Sequence, residues 1–306
     1  MIINRRRHAR PRRSAWQEGG GRESGARRGV IGYDGEVAAR QGRTMAEWAL
    51  ILGASSGFGE ATSLALATIG FNIFGVHLDR RATLPNAHRI VRDIEAKGRR
   101  AEFFNVNAAD EAKRKDVLDR AEQVLQEEGN GQVRVMLHSL AFGTLRPFVA
   151  EKPEESITKA QIDMTLDVMA HSLVYWVQDL VWRKLMGRGG HIYAMTSAGS
   201  TRIFPTYGAV SAAKAALESH MRQLAYELAP HGITINAIRA GVTDTPASRQ
   251  IPGYEQMAAI AASRNPMGRM TRPTDVAAAI AALCQEGTHW ITGTVIGVDG
   301  GEDIVA

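Results

Sequence analysis

Short apolar runs alternate with longer amphipathic stretches between residues 48 and 298. Seven of these runs have the length and the aliphatic character of buried parallel strands. They are Ala49–Leu52, Asn72–Val76, Ala101–Val106, Val133–Leu137, His191–Met195, Thr234–Ile238 and Val295–Val298. Segments with helical spacing lie between most of them. This alternation predicts an α/β fold, namely a doubly wound parallel sheet of about seven strands with right-handed crossovers, in a single domain.

The predicted helices account for most of the remaining chain. They are Glu60–Ile69, Asn86–Lys97, Glu111–Glu127, Gln161–Met186, Gly208–Leu228 and Thr274–Cys284. Residues 246–270 are instead irregular in pattern, rich in Pro, Ala and Met, and follow a late strand. Loops at the carboxyl ends of parallel strands cover ligands in open α/β sheets. We therefore predict a substrate lid near residues 246–270, with an ordinary surface connection as the alternative.

Composition divides the chain into a basic head and a mildly acidic body. The chain has 306 residues, 44% of them hydrophobic, which is ample for one sizeable domain. Residues 1–44 hold 11 arginines and four acidic residues, more positive charge than the net +5 of the whole chain. We expect this Arg/Gly-rich head to be a disordered extension or a mis-assigned start, with the domain spanning residues 45–306. A nucleic-acid or membrane-surface arm and a transit peptide are the alternatives.

The remaining composition bears on the surroundings of the protein. A single cysteine, Cys284, excludes an internal disulfide framework and favours a reducing compartment. No apolar run approaches the roughly 18 residues of a membrane helix. The nine histidines lack the spacing of paired metal ligands. We therefore expect a cytoplasmic protein without a metal site, a membrane-inserted segment or a nucleic-acid partner.

A glycine-rich turn follows the first predicted strand. Gly53, Gly57 and Gly59 form a G-x-x-x-G-x-G pattern between that strand and the first helix. Glycine permits the tight turn and lets the backbone approach a pyrophosphate, which binds at the helix N-terminus. The intervening residues assigned to this site are Ser55, Ser56 and Phe58. The pattern predicts dinucleotide binding by a Rossmann-type sheet, and three glycines that only shape a turn are the alternative.

The glycine spacing, INAIRAG at Ile235–Gly241 and ITGTVIGVDGG at Ile291–Gly301 together resemble the short-chain dehydrogenase/reductase family. The resemblance extends from about Ala46 to Asp303. It implies an NAD(H) or NADP(H) cofactor, a catalytic tyrosine and lysine, and a homotetramer. It also implies cofactor contacts from the ends of later strands. These residues are Asn105, Val106, Ser139, Leu140, Ala141, Gly241, Thr243 and Thr245.

The segment after the second strand bears on the choice of nicotinamide. A carboxylate there accepts hydrogen bonds from the adenosine ribose and favours NAD, whereas arginines pair with a 2′-phosphate. His77 stands where the family's NAD-selecting aspartate usually falls, and Asp79 comes two residues later, followed by Arg80 and Arg81. We therefore expect NADPH, with NADH as the alternative.

Tyr207 and Lys214 are separated by seven positions. At about 100° and 1.5 Å per residue, this spacing predicts side chains on one helical face, about 10 Å apart along the axis. The family's usual motif is Tyr-x-x-x-Lys, but Val210 stands four residues before Lys214 and has no proton to donate. In an α,β-unsaturated thioester, hydride reaches Cβ while negative charge collects on an oxygen three bonds away. A phenol displaced by about one turn suits that separation better than it suits a ketone.

This Tyr-x6-Lys arrangement resembles the enoyl-acyl-carrier-protein reductases, a divergent branch of the family. HSLAFG at His138–Gly143 is similar to their sequences, and GTLRP at Gly143–Pro147 resembles the NADPH-using type III enzymes. Met169 takes the place of the asparagine that completes the ketoreductase proton relay. Ser197, ten residues before Tyr207, takes the place of the catalytic serine of ordinary dehydrogenases, and type III enzymes resemble this chain in having it.

We therefore expect a type III-like enoyl-thioester reductase of fatty-acid synthesis, acting on an acyl chain bound to a carrier protein. Tyr207 would stabilise the enolate, and Lys214 would bind the nicotinamide ribose and lower the pKa of Tyr207. Ser197 would help to position the substrate. Because ordinary dehydrogenases have a serine at this position, a carbonyl (3-oxoacyl) reductase is an alternative. A dienoyl-thioester reductase is a further alternative, and a non-catalytic NADPH sensor is the remote one.

Overall fold

The computed structural model describes residues 46–129 and 131–305. The prediction for residues 1–44 falls outside this part of the chain and stays a prediction. Within the described residues, one seven-stranded sheet has the order β3-β2-β1-β4-β5-β6-β7, with every pair parallel. Its strands are β1 (Glu47–Leu52), β2 (Asn72–His77), β3 (Ala101–Asn105), β4 (Gln132–His138), β5 (His191–Thr196), β6 (Thr234–Ala240) and β7 (Val295–Val298). The predicted doubly wound parallel sheet is confirmed.

Helices cover both faces of the sheet. They are α1 (Gly57–Thr68), α2 (Leu84–Glu95), α3 (Glu111–Glu127), α4 (Lys159–Leu166), α5 (Ser172–Trp182), α6 (Gly208–Leu228), α7 (Tyr254–Arg264) and α8 (Pro273–Leu283). Successive side chains of a strand point to opposite faces. In β1, Trp48 and Leu50 join a core cluster with α3, α5 and α6, whereas Ala49 and Ile51 join a second cluster with α1, α2 and α8. The continuous apolar strands therefore reflect burial on both faces.

The strand order reverses beside β1, and this reversal positions the site. The chain passes from β1 outward through β2 and β3, and then returns to β4 on the other side of β1. The loops leaving the carboxyl ends of β1 and β4 diverge to opposite faces of the sheet, which opens a crevice between them. The glycine-rich turn follows β1, and Ser139 follows β4.

Two segments differ from the prediction. The single helix predicted over Gln161–Met186 is divided into α4, a π-helical turn at Asp167–His171, and α5. A π-helical turn changes the hydrogen-bond spacing within a helix. The amphipathic pattern of the sequence does not indicate such a change. The stretch 246–270, predicted as irregular, contains α7, which begins after Gly253 in the left-handed conformation. Its alanines and methionine favour a helix, and the prediction gave too much weight to the flanking prolines.

None of the helices in the described residues combines the length and the apolar character needed to cross a membrane.

Candidate active site

The glycine-rich turn folds closely enough that side chains would not fit in it. Gly53 has φ of 89°, and a Cβ on Gly53 would lie 2.5 Å from the carbonyl oxygen of Ser139. A Cβ on Gly59 would lie 2.0 Å from the carbonyl oxygen of Gly53. Helix α1 begins at Gly57, so its first N–H groups point out of the turn. This geometry fits a pyrophosphate at the helix N-terminus, as the sequence predicted.

The turn also meets the loops that follow β4 and β6. Ser139 donates its backbone N–H to Leu52 at 2.9 Å. A Cβ on Gly57 would lie 3.3 Å from Cγ2 of Thr245. Of the other predicted contacts, Leu140 and Phe58 are half-buried against the core, and Ala141 is exposed. The fold therefore brings three separate predicted segments to one crevice.

Ser248 is a residue of this site that the sequence did not single out. Its Oγ donates to the carbonyl oxygen of Thr243 at 2.7 Å, and the Oγ1 of buried Thr245 lies 3.0 Å from it. The Oγ1 of Thr243 in turn donates to the carbonyl oxygen of Gly241 at 2.8 Å. This loop, predicted to contact the cofactor, is therefore fixed by its own hydroxyl groups. The serine's role depends on a tight turn that residue spacing does not reveal.

At the end of β2, Asp79 is held beside the glycine-rich turn. His77 Nδ1 lies 2.8 Å from its carboxylate. Burial raises the pKa of Asp79, but hydrogen bonds from Ser55, Thr83 and His77 outweigh it and leave that pKa below its ordinary value. A charged carboxylate at this position is suited to ribose hydroxyls rather than to a phosphate.

Arg80 and Arg81 present the opposite charge next to Asp79. Both side chains are exposed, and neither forms an ion pair with the residues that the structure describes. Asn105, one of the predicted cofactor contacts, binds the backbone of Asp79 through its amide group: it accepts from the N–H at 2.8 Å and donates to the carbonyl at 3.0 Å. The Val106 N–H donates to His77 at 2.8 Å. These bonds shape the adenosine end of the crevice.

Tyr207 stands at the beginning of α6 rather than within it. It is the N-cap residue, with φ of −89° and ψ of 2°, and the first helical residue is Gly208. The prediction that Tyr207 and Lys214 share a helical face therefore needs correction, because only Lys214 belongs to the helix. The preceding residue, Thr206, has φ of 61°, which is unusual for a β-branched residue, and its buried Oγ1 has no partner among the described residues.

The hydroxyl of Ser197 lies beside the phenol of Tyr207, close enough to act on its pKa. Its ring lies against Gly199, where a Cβ would come within 2.6 Å of Cε1. Burial raises the pKa of Tyr207, and Ser197 opposes that change. The expectation that Lys214 lowers this pKa is not met here: burial and Ser197 are the influences on the phenol. Tyr207 therefore keeps its proton at neutral pH, with the Ser197 hydroxyl beside it.

Lys214 is buried, with 5% of its surface exposed. Its Nζ donates to the carbonyl oxygen of Met195 at 2.7 Å. Burial lowers the pKa of Lys214 to about 8, and the charge of Glu218 opposes that shift. The ammonium group therefore lies at the carboxyl end of β5, close to its ionisation point near neutral pH.

The two positions that a ketone reductase would use are apolar neighbours here. A Cβ on Gly143 would lie 2.8 Å from Val210 and 2.9 Å from the sulfur of Met169. Met169 lies in the π-helical turn, and both side chains are buried. Neither can donate or relay a proton.

His138, at the end of β4, is fully buried and neutral. Burial and the charge of Lys214 lower its pKa to about 3. The Ser172 hydroxyl donates to the Val168 carbonyl oxygen at 2.8 Å. Its own oxygen therefore accepts from the Nε2–H of His138, also at 2.8 Å. In the described part of the chain no group of three or more metal-ligating side chains occurs.

The parallel sheet, the glycine-rich turn and the Tyr207/Lys214 pair define a short-chain dehydrogenase/reductase. More particularly, a family model described as Enoyl-(Acyl carrier protein) reductase matches residues 53–302, and the chain belongs to this family. The predicted family is thus confirmed. The residues of the crevice fit the nicotinamide dinucleotide that such oxidoreductases bind. The glycine-rich turn leaves backbone N–H groups available for a pyrophosphate, and Lys214 offers a buried ammonium group.

Known proteins similar to this chain differ in the reaction that they are named for. The NADH-dependent enoyl-acyl-carrier-protein reductase FabI of Aquifex aeolicus is 32% identical over 179 residues, which are 58% of this chain and 65% of that protein. The 3-oxoacyl-acyl-carrier-protein reductase FabG of Thermotoga maritima is 27% identical, over 82% of this chain and 96% of that protein.

A solved structure of a short-chain dehydrogenase from Burkholderia cenocepacia, in complex with NADP, has the same fold. It superposes with a TM-score of 0.70 at 28% identity, covering 84% of this chain and 98% of that one. The relatives thus support an NAD(P)H-dependent oxidoreductase and include both C=C and C=O reductases.

Proposed function

We propose that this protein reduces the C=C bond of an enoyl thioester with NAD(P)H. The observation that carries the proposal is the arrangement around Gly143. Val210 and Met169, the positions of the ketone-reducing tyrosine and asparagine in the family, are buried apolar neighbours there. The proton donor is instead Tyr207, at the start of α6 and beside the hydroxyl of Ser197.

The residues divide the chemistry between them. When bound, the dinucleotide supplies a hydride to Cβ of the substrate. Tyr207 donates a hydrogen bond to the thioester oxygen, where negative charge develops, and such a preorganised donor acts most strongly in a site that excludes water. Lys214 binds the nicotinamide ribose with the donors that Met195 does not use. Ser197 orients the phenol and the substrate.

A carbonyl reductase is the second candidate, because Ser197 lies beside Tyr207, as the serine of a ketone-reducing pair does. Loss of reduced-nicotinamide absorbance, followed with crotonyl-CoA and with acetoacetyl-CoA, separates the two. Turnover of the enoyl substrate supports the proposal, and turnover of the keto substrate alone contradicts it. A dienoyl thioester in the same assay addresses the third alternative. Tight NADPH binding without any turnover would instead indicate a sensor.

For the cofactor we propose NADPH, because Arg80 and Arg81 leave two exposed positive charges beside the adenosine end. A charge-assisted hydrogen bond contributes roughly 1.5–3 kcal/mol. The double substitution Arg80→Ala/Arg81→Ala should therefore reduce NADPH affinity by about tenfold or more and leave NADH affinity nearly unchanged. Arg92→Ala, on the exposed side of α2, is the control. A wild-type preference for NADH would contradict the proposal and point to Asp79.

We propose further that the acyl chain is carried by a carrier protein and that the chain assembles as a homotetramer serving fatty-acid synthesis. Large apolar side chains on α5 and α6, Trp182 and Tyr226, are 70% and 80% exposed, which supports association through these helices. A ratio of kcat/KM for carrier-protein and CoA substrates tests the first part, and light scattering tests the second.

A further inference from the structure

A buried ammonium group needs a negative charge nearby. Lys214 has lost nearly all contact with water, and its one hydrogen-bond acceptor among the described residues, the carbonyl oxygen of Met195, carries no net charge. An unpaired ion in the interior loses its charge more readily than one in water. The proposed role of Lys214 at the ribose requires donors on a charged amine, so the source of its counter-charge matters.

Glu218 is the carboxylate that acts on Lys214. It lies four residues further along α6, on the same side of the helix. Burial lowers the pKa of Lys214, and Glu218 is the group that raises it. The other ionisable neighbours are uncharged: β4 presents neutral His138, and the start of α6 presents the phenol of Tyr207. Glu218 thus acts on this ammonium through its charge, without a direct ion pair to Lys214 among the described residues.

Thr196 fixes the direction of Glu218. Its Oγ1, on a residue only 7% exposed, donates to Oε1 of Glu218 at 2.6 Å. Thr196 is the last residue of β5. It follows Met195, whose carbonyl accepts from Lys214, and precedes Ser197. Two consecutive residues at the end of this strand, Met195 and Thr196, therefore form hydrogen bonds with two side chains of α6, Lys214 and Glu218. The arrangement is built across two elements, so it is not a chance surface pair.

We propose that Glu218, oriented by Thr196, is a positioning residue that keeps Lys214 charged for binding the nicotinamide ribose. Glu218 acts through Lys214 and not on the reacting atoms. This inference rests on the proposed function in one respect only, the contact between Lys214 and the cofactor. It is independent of whether the substrate is an enoyl thioester or a ketone.

Binding of NADPH and NADH, titrated from about pH 7 to pH 10 without any acyl substrate, tests the proposal. Wild-type affinity should weaken as Lys214 loses its proton, around pH 8. Glu218→Gln keeps the size of the side chain and removes its charge, so the midpoint should move to lower pH by about half a unit or more. Glu227→Gln, exposed on the same helix, should leave the midpoint unchanged.

A second pair of variants separates orientation from folding. Thr196→Val removes the hydroxyl and should move the midpoint in the same direction, whereas Thr196→Ser keeps it and should restore the wild-type profile. This pair decides the matter if Glu218→Gln does not fold. A wild-type affinity independent of pH, or an unshifted midpoint in Glu218→Gln, overturns the inference. Normal pH-dependent binding without enoyl turnover overturns the proposed function instead.

Discussion

Tyr207 owes its position to the backbone immediately before α6. Thr206 adopts the left-handed conformation, and the chain then enters the helix with Tyr207 as its cap. The ring lies against Gly199, and Ser211 Oγ donates to the Gly199 carbonyl, which closes the same loop against the helix. The phenol is therefore set by a turn and a loop contact. The direction of the phenol is therefore more restricted than it would be for a tyrosine on an exposed helical face.

Replacing Tyr207 with phenylalanine should reduce kcat for an enoyl thioester by about 10²-fold or more, the usual effect of losing one donor to a developing oxyanion. Affinity for NADPH should change little, because the hydroxyl does not hold the cofactor. Steady-state kinetics and cofactor titration measure both. Tyr226→Phe, exposed on α6, is the matched control. A variant rate close to wild type would remove Tyr207 from the proposed role.

Thr206→Asn should stabilise the protein by about 0.5–1 kcal/mol, because asparagine adopts the left-handed conformation with less strain than a β-branched residue. The change also removes a buried hydroxyl that has no partner in the described structure. Urea unfolding at constant m-value measures the difference. Thr201→Asn is the control, since Thr201 has φ of −126° and gains nothing. Equal effects at both positions would argue against backbone strain at Thr206.

At the scale of elements, the crevice depends on α1 lying close to the end of β1. The contact of Gly59 with the Gly53 carbonyl allows that approach, and the turn then reaches Ser139 and Thr245 on neighbouring loops. The helix N-terminus is thereby held at the position where a pyrophosphate would bind.

Gly59→Ala should therefore abolish measurable dinucleotide binding and cost more than about 3 kcal/mol of stability, as overpacking against backbone does at its upper end. Gly187→Ala is the control, because its Cβ would find its nearest neighbour at 3.9 Å. Calorimetric titration with NADPH and thermal unfolding report the two effects. Retained binding in Gly59→Ala would mean that the turn tolerates a wider separation of α1 from β1.

The sequence predicted the strands well and the site in part, for identifiable reasons. Burial on both faces makes a strand such as Ala49–Leu52 visible as an apolar run. The glycine turn and the Tyr207/Lys214 spacing are likewise properties of neighbouring residues. By contrast, the roles of Ser248 and Glu218 and the left-handed Thr206 depend on contacts between elements, and spacing along the chain carries no signal for them.

At the scale of the whole described fold, buried histidines link stability to pH. Burial is the main cause that lowers the pKa of His138 to about 3 and that of His191 to about 4, from an ordinary 6.5. As pH falls below about 6.5, the unfolded chain takes up protons that the folded chain does not. Stability contributed by neutral histidine is therefore present above that pH and is lost progressively toward the folded pKa values.

The free energy of unfolding should fall between about pH 6 and pH 4 by up to 1.4 kcal/mol per pH unit for each of these histidines. Urea unfolding over this range measures the slope. His191→Asn should reduce the slope, although its stability at neutral pH also falls. His231→Gln, at an exposed residue, should retain the wild-type slope. A wild-type stability that stays flat down to pH 4 would contradict the assignment of neutral, buried imidazoles.

The end of β5 has a consequence for how the site fluctuates. Met195 and Thr196 form hydrogen bonds with Lys214 and Glu218 of α6, and Ser197 lies beside the cap residue Tyr207. Moving α6 away from this edge of the sheet would break all three contacts together. A partly opened state would therefore lose these contacts without a compensating gain in conformational freedom. Amide hydrogen exchange along this edge should accordingly occur in one cooperative event, with neighbouring amides sharing one opening free energy. The site would then be lost and regained as a unit.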